Sequence, residues 1–467
     1  MAAQLRRRTK AGFGLADFGL SSAELLIQFY LFDFYTRVVG LRADLAGYAL
    51  ALAVVWDAVS DPLMGMVTDR TRSRFGRFLP YIVLGAVALP FALWALFSPP
   101  AFTGQGGAFL YLLFTYVLVN TSMTVIGVPH LALGGALTDD SDERTEVYGW
   151  RLVAGTFGLF FGILAPLFAA ESFGLDVDSE DGVWWSRSLA ALFVGGAVLA
   201  SAGATVLAVR RRAREAKAPE GAAFTLRSLG GSLRGVVHNR FFLPVFIAFV
   251  IASVGRAMNA TLALPYYRFR LEIAEADVQR WVLGIFAGAI VLSVAIWIPL
   301  GRRFGKKWPG FAGMLSLGVM TAAAYPLFPA GSLAGPVAMA VFGGIAVGAI
   351  ILFESLVTDV ADADRLRTGE QRGGLYFGFW RLGQKFARAA GLGLTGPMLA
   401  FIGFEEGARE QSADTALGLA MLFGPGVGLC FILAAIVFAF SPMDRGEQKR
   451  VQRRLSAKAG KAGKSGG

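Results

Sequence analysis

The sequence predicts an all-α membrane protein of twelve transmembrane helices, arranged as two six-helix bundles related by a pseudo-twofold axis. Three observations lead there. Only 16% of the 467 residues are charged and 55% are hydrophobic, with a mean hydropathy of +0.56, whereas a soluble domain carries roughly 25% charged residues. The apolar residues gather into about twelve runs, each near the roughly 20 residues that cross the hydrocarbon layer. A charged segment from Arg210 to Arg240, containing Pro219 and Gly221, interrupts the chain after the sixth run and divides it six plus six.

The runs fall near 12-37, 45-68, 80-98, 108-136, 147-170, 188-209, 241-267, 280-300, 309-328, 336-360, 375-401 and 416-441. Loop charge orients them, because Lys and Arg next to a span stay on the cytoplasmic side. Arg6, Arg7, Arg8 and Lys10 precede the first span, Arg70, Arg72, Arg74 and Arg77 follow the second, and Arg302, Arg303, Lys306 and Lys307 follow the eighth. Loops 99-107 and 329-335 are uncharged and loops 171-187 and 402-415 are mostly acidic, which puts them outside. The short basic N-terminus is followed by a segment too long and too acidic for a cleavable signal, so both termini are expected in the cytoplasm, with a bacterial-type inner (plasma) membrane as the location. The expected layout is a cytoplasmic N-terminus 1-11, a six-helix bundle 12-209, a cytoplasmic linker 210-240, a second bundle 241-441 and a basic cytoplasmic tail 442-467.

The two halves rhyme. Gly65-Met66-Val67-Thr68-Asp69-Arg70 with Gly76-Arg77 follows span two, and Gly301-Arg302-Arg303-Phe304-Gly305-Lys306-Lys307 follows span eight. A weak internal repeat of this kind belongs to transporters whose substrate site lies between two related bundles near the bilayer midplane. The linker either holds an interfacial helix over Phe224 to Val237, where Leu226, Leu229, Leu233 and Val237 alternate with Arg227 and Arg234, or is a plain tether.

Several function classes drop out. No HExxH, no metal-spaced Cys/His cluster and no GxxxxGK[ST] loop is present, so an enzyme and an ATP-driven pump are both disfavoured. The single Cys430 excludes an intramolecular disulfide, and no cofactor is expected. The +11 formal charge follows the topology of the loops and does not call for nucleic acid. The expected partners are a small-molecule substrate, a coupling cation and the lipid bilayer, with the protein acting as a monomer.

The chemistry is concentrated in Val55-Trp56-Asp57-Ala58-Val59-Ser60-Asp61-Pro62. A carboxylate at the centre of a span costs roughly 2.5 to 3.5 kcal/mol on insertion scales, so buried acids there point to function. Asp57 and Asp61 are four residues apart and share one helix face, close enough to hold one cation or one proton. Pro62 withholds the amide that would pair with the carbonyl of Ala58, adding a free oxygen near the acids. A structural ion pair with a base on another helix is the competing account.

Other polar residues inside the spans are Glu24 and, nearer the outside, Asp33 in span one. Arg151 near the start of span five either snorkels to the headgroups or binds substrate through its forked donors. Arg256 in span seven is flanked by Gly255. Lys385 in span eleven needs an acidic partner, for which Asp57, Asp61 and Glu354 compete. Trp56, Tyr376 and Trp380 neighbour these charges and are candidate stacking surfaces. His130, after Pro129, is either a satisfied interior histidine or a proton relay.

The chain resembles the glycoside-pentoside-hexuronide:cation symporters, the melibiose-permease group of the major facilitator superfamily. The resemblance runs over nearly the whole chain. It rests on Tyr35-Thr36-Arg37-Val38-Val39-Gly40, on Trp56-Asp57-Ala58-Val59-Ser60-Asp61-Pro62-Leu63-Met64-Gly65 with Thr71-Arg72-Ser73-Arg74-Phe75-Gly76-Arg77, and on Thr358-Asp359-Val360-Ala361-Asp362 with Gly374 and Tyr376. It implies a sodium, lithium or proton site of Asp57, Ser60 and Asp61 with Thr124 from span four. It also puts Arg151 where the family has a sugar-contacting arginine and Lys385 where it has a charge-network lysine. Two acids that hold sugar hydroxyls in melibiose-binding relatives are matched here by Ser21 and Gly127, and an aromatic by Leu131; Glu24 is the candidate substitute. Gln28-Phe29-Tyr30-Leu31-Phe32-Asp33 resembles span one of the sodium-dependent lysophospholipid symporters.

The expectation is therefore a secondary active transporter that couples a sodium ion or proton, held by Asp57, Ser60, Asp61 and Thr124, to a sugar or glycoside held by Glu24, Arg151, Lys385, Tyr376 and Trp380. A lysophospholipid or other amphipathic solute is the alternative substrate. A non-transporting membrane receptor is the distant alternative. A polar, closed pocket ringed by Glu24, Arg151 and Lys385 would favour sugar; an apolar cleft open sideways to the bilayer would favour lipid.

Overall fold

A computed structural model of the chain describes residues 5–138, 140–177, 179–215, 235–236, 239–369, 372–451 and 453–454. The candidate interfacial helix from Phe224 to Val237 lies outside the described residues except at 235–236. Among the described residues there is no strand. Eleven helices among the described residues are long and apolar enough to span a membrane: α1 Arg7–Arg37, α2 Ala43–Arg70, α3 Leu79–Phe97, α4 Gln105–Ala136, α5 Glu143–Phe173, α6 Glu180–Arg214, α7 Phe242–Arg270, α8 Glu275–Phe304, α9 Lys307–Leu327, α10 Ala334–Thr368 and, last of these, α12 Ala413–Ala439. The remaining expected span forms α11, Gly373–Phe401, whose Arg381, Lys385 and Arg388 set it apart from the apolar eleven.

The helix ends follow local chemistry. Pro80 enters α3 in its first turn, where its missing N–H costs nothing. The Ser412 hydroxyl accepts from the Thr415 amide at 3.1 Å and caps α12. Gly369 closes α10 at φ +78°, a conformation that suits glycine. The sixth and tenth helices outrun their apolar cores. α6 begins at Glu180, well inside the expected outer loop, because Glu180 and Asp181 complement its N-terminus. At its other end the helix continues through Glu215, so the linker begins later than Arg210.

Within the first half, α1 packs on α5 and α6, and α3 on α4 and α6; in the second, α7 and α9 pack on α12 and α8 on α10. α2 and α11 pack closely on each other and join the halves. Glycines permit this contact: a Cβ on Gly47 would lie 2.6 Å from the Leu392 carbonyl oxygen, and one on Gly396 would lie 2.2 Å from that of Ala43. The same device joins α1 to α5, where Gly158 and Gly162 meet the carbonyls of Phe18 and Ser22. Small residues let membrane helices approach backbone to backbone.

Where α1 gives way to α2, ion pairs tie the two halves together. Arg37 donates to Glu275 at 2.6 Å, and Arg187, fully buried, pairs with the other oxygen of the same carboxylate. Gln279 donates to that oxygen at 2.7 Å, and the Arg187 guanidinium lies 4.2 Å from the centre of the Tyr30 ring. Arg280 pairs with Glu171, and the amide of Ala43 donates to Glu406 at 2.6 Å. Arg187, at the end of the mostly acidic segment 171-187, thus belongs to a buried cluster.

Candidate cation and substrate site

α2 passes unbroken through Pro62 and presents Asp57 and Asp61 on one face. The Thr124 hydroxyl, from α4, lies 2.9 Å from Asp57 Oδ1 and 2.9 Å from Asp61 Oδ1. Ser60 Oγ stands 3.4 Å from Thr124 Oγ1 and donates to the Asp57 carbonyl at 3.1 Å. The Thr124 hydroxyl has one proton and can donate to only one of the two carboxylates. The other oxygen–oxygen contact calls for a proton on that carboxylate or a positive charge nearby. Lys385 of α11 supplies the charge, with Nζ 2.8 Å from Asp57 Oδ2 and 2.5 Å from Asp61 Oδ2.

The same ammonium lies 3.1 Å from the Asp57 carbonyl. The backbone oxygen that meets polar partners is therefore that of Asp57, whereas the sequence pointed to Ala58. Ala58 is buried in α2. Two carboxylates against one ammonium leave one negative charge locally, which one monovalent cation would neutralise. The oxygens of Asp57, Asp61, Thr124 and Ser60 suit a hard cation. Glu354 does not take Lys385.

Asp57, Asp61 and Thr124 line a cavity of about 270 Å³ between the halves, with Asp17, Ser21 and Glu24 from α1, Tyr116, Asn120 and Gly127 from α4, Arg151 from α5, and Arg381, Lys385 and Arg388 from α11. Glu24, Arg151 and Lys385 thus meet in one cavity, whose lining also includes Leu20, Ile27, Met123, Val128 and Leu131. Arg151 grips Asp17 with two donors, its Nη2 at 2.8 Å from Oδ1 and its Nε on Oδ2. Glu24 faces Arg388 at 3.5 Å, and Arg388 donates to the Tyr116 hydroxyl at 3.3 Å.

Tyr376 and Trp380 do not join this cavity. Tyr376 is fully buried, accepts from the Asn239 side chain at 2.6 Å and sits edge-on to Phe242. Trp380 stacks on Phe249 with ring centres 3.8 Å apart. Both occupy the α7-facing side of α11, turned away from the side that carries Lys385, so they are corrected to packing residues. Trp56 is half-exposed and donates to Thr121 at 2.9 Å.

Two charged residues of this cavity escaped the sequence reasoning: Asp17 and Arg388. Their signal is helical spacing, since Asp17, Ser21 and Glu24, like Arg381, Lys385 and Arg388, recur at i, i+4, i+7 and form one stripe. Asp17, one turn before Ser21, brings an acid to the cavity, where Ser21 itself carries only a hydroxyl.

A second cavity of about 420 Å³ adjoins the first at Glu24. Its walls are mostly apolar, including Leu25, Phe29, Leu159, Phe286, Ile290 and Leu317, with Arg256, Glu354 and Gln384 as polar members.

Two helical halves around a charged central cavity, with acids of one half neutralised from the other, define a polytopic membrane transporter. The chain belongs to the MFS/sugar transport protein family, whose family model matches residues 12–445. An isoprimeverose transporter of Lactiplantibacillus pentosus is 25% identical across 94% of this chain and 89% of its own length. Sodium-dependent lysophosphatidylcholine symporter 1 of Gallus gallus is 27% identical across 91% and 83%. A crystal structure of a bacterial homologue of the human lysosomal transporter Spinster, in an inward-facing and occupied conformation, aligns with a TM-score of 0.69 over 96% of this chain and 99% of that one. At 16% identity it establishes the major facilitator fold. The protein is a transporter and not an enzyme.

Proposed function

We propose that the protein couples the entry of one monovalent cation, sodium or a proton, to the uptake of a sugar or glycoside. The observation that carries this is the convergence of Asp57, Asp61 and Thr124 oxygens on a lysine of the opposite half. A cation that displaces Lys385 takes over its counter-charge at the acids, leaving the local charge as it was, and frees the lysine for a sugar hydroxyl. Each ligand then raises the other's affinity by the same factor. Glu24 and Arg151, aided by Asp17 and Arg388, supply the donors and acceptors that polyols require.

With the basic turns in the cytoplasm, the Arg37–Glu275–Arg187 cluster seals the outer side of a bacterial-type inner membrane and both termini lie inside. The apolar cavity beside Glu24 supports a second reading, in which the cargo carries an acyl chain or apolar aglycone. Thermal unfolding of purified protein distinguishes the two. Isoprimeverose and related glycosides, added with sodium or at acid pH, should raise the unfolding temperature above the cation alone. Stabilisation by lysophosphatidylcholine with no response to any glycoside would replace the sugar reading by the lipid one.

A further inference from the structure

His130, on α4, is fully buried and stacks on Phe13 with ring centres 4.4 Å apart. Its Nε2 lies 2.8 Å from the Phe13 carbonyl oxygen. A carbonyl only accepts, so Nε2 carries the proton and, in the neutral ring, Nδ1 is a bare lone pair. That lone pair is buried without a hydrogen-bond partner and lies 3.8 Å from Asp17 Oδ2. Two acceptors facing each other in a buried place leave room for one proton and call for one. The Arg151 guanidinium, which grips both oxygens of the same carboxylate with its Nε on Oδ2 itself, is what opposes it.

We propose that His130 and Asp17 form a proton site, distinct from the Asp57–Asp61 site, that fills when Arg151 leaves Asp17. The proton comes from cavity water by way of Asp17, which borders the cavity while His130 does not. It adds to Nδ1, giving an imidazolium hydrogen-bonded to the carboxylate, with Nε2–H still on Phe13. In the resting state the Asp17–Arg151 pair is neutral and the imidazole stays neutral. Once cargo draws Arg151 away, Asp17 is left as an uncompensated buried anion and the imidazolium takes the arginine's place. Loading of cargo is thereby tied to the uptake of a proton. This last step rests on the reading that Arg151 contacts the substrate.

The groups facing His130 are few. α1 presents Asp17, α5 presents Arg151 with Tyr148 beside it, and α6 presents only the neutral Thr205, which also donates to the Phe13 carbonyl. α4 itself carries no charged residue over its length.

The chain holds two histidines, so His238→Gln leaves one imidazole for ¹⁵N magnetic resonance in histidine-labelled full-length protein. The Nε2–H tautomer is expected at neutral pH. Arg151→Gln, which mimics the departed guanidinium, should shift the titration of His130 upward by about one pH unit or more, and Asp17→Asn added to it should remove the shift. Arg151→Lys, which keeps a cation, is the control for folding and should titrate like the parent. An Nδ1–H tautomer, or a titration unaffected by Arg151→Gln, would overturn the proposal. None of these variants alters Asp57 or Asp61, so this outcome is separable from the fate of the coupling site.

Discussion

The Lys385 ammonium lies 2.5 Å from Asp61 Oδ2, so a helix of the second half of the chain neutralises a carboxylate of the first. In the proposed coupling, lysine and cation compete for the same oxygens. Lys385→Met should therefore tighten cation binding by about tenfold or more, ~1.4 kcal/mol, while lowering thermal stability in cation-free buffer because two acids then lack a counter-charge. Calorimetric titration of the variant with sodium, and with acid, measures both effects. Weaker binding than in the parent protein would show that the lysine is a ligand partner and not a competitor.

Glu275 holds Arg37 and Arg187 at once. Replacing it by Gln leaves two guanidinium groups facing each other in a buried place, and removal of one partner from such a set costs about 3 to 5 kcal/mol. Because the cluster joins α1 and α6 to α8, the loss should fall on the closed state of that end. Alkylation of a probe placed by Ser186→Cys, with Cys430 replaced, is expected to quicken in Glu275→Gln. An unchanged rate would mean that the cluster is not a closure.

Trp380 and Tyr376 are assigned to packing, and the assignment separates stability from transport. Trp380→Ala should cost about 3 to 5 kcal/mol of stability, and Tyr376→Phe about 1 to 3 kcal/mol through the unpaired Asn239 amide. Neither should change the substrate concentration for half-maximal uptake in the fraction that folds. A large rise in that concentration for Trp380→Ala would restore it to the binding site.

Glu24 behaves in the opposite way. Its side chain is 48% exposed to the cavity, so its pair with Arg388 adds at most about 1 kcal/mol to stability. Glu24→Gln should leave the unfolding temperature nearly unchanged but weaken substrate binding by about tenfold, equivalent to ~1.4 kcal/mol. Equilibrium binding of a labelled glycoside at saturating cation reads this directly.

The helices were legible because the bilayer demands long apolar runs, and each expected span corresponds to one helix. The ends were less so, since hydropathy sees the part of α6 inside the membrane and is blind to its continuation through Glu180 and Glu215. The acid pair and its lysine were legible as unpaired charges in apolar surroundings, which restricts their partners to one another. Asp17 and Arg388 were not picked out, although each completes a helical stripe with a residue that was. Trp380 and Tyr376 misled for a related reason: proximity in sequence to Lys385 says nothing of which side of α11 they occupy. Arg187 was hidden by its acidic neighbours, and only the packing of α1, α6 and α8 brings Glu275 to it.

The role of Asp57 and Asp61 is tested most directly by uphill transport. Vesicles containing the purified protein, given an inward sodium gradient and separately an inward proton gradient, should accumulate labelled glycoside above the external concentration. Asp61→Asn should fold, still equilibrate the glycoside across the membrane, and lose accumulation under both gradients. Accumulation by Asp61→Asn equal to that of the parent protein would contradict the assignment of the coupling site.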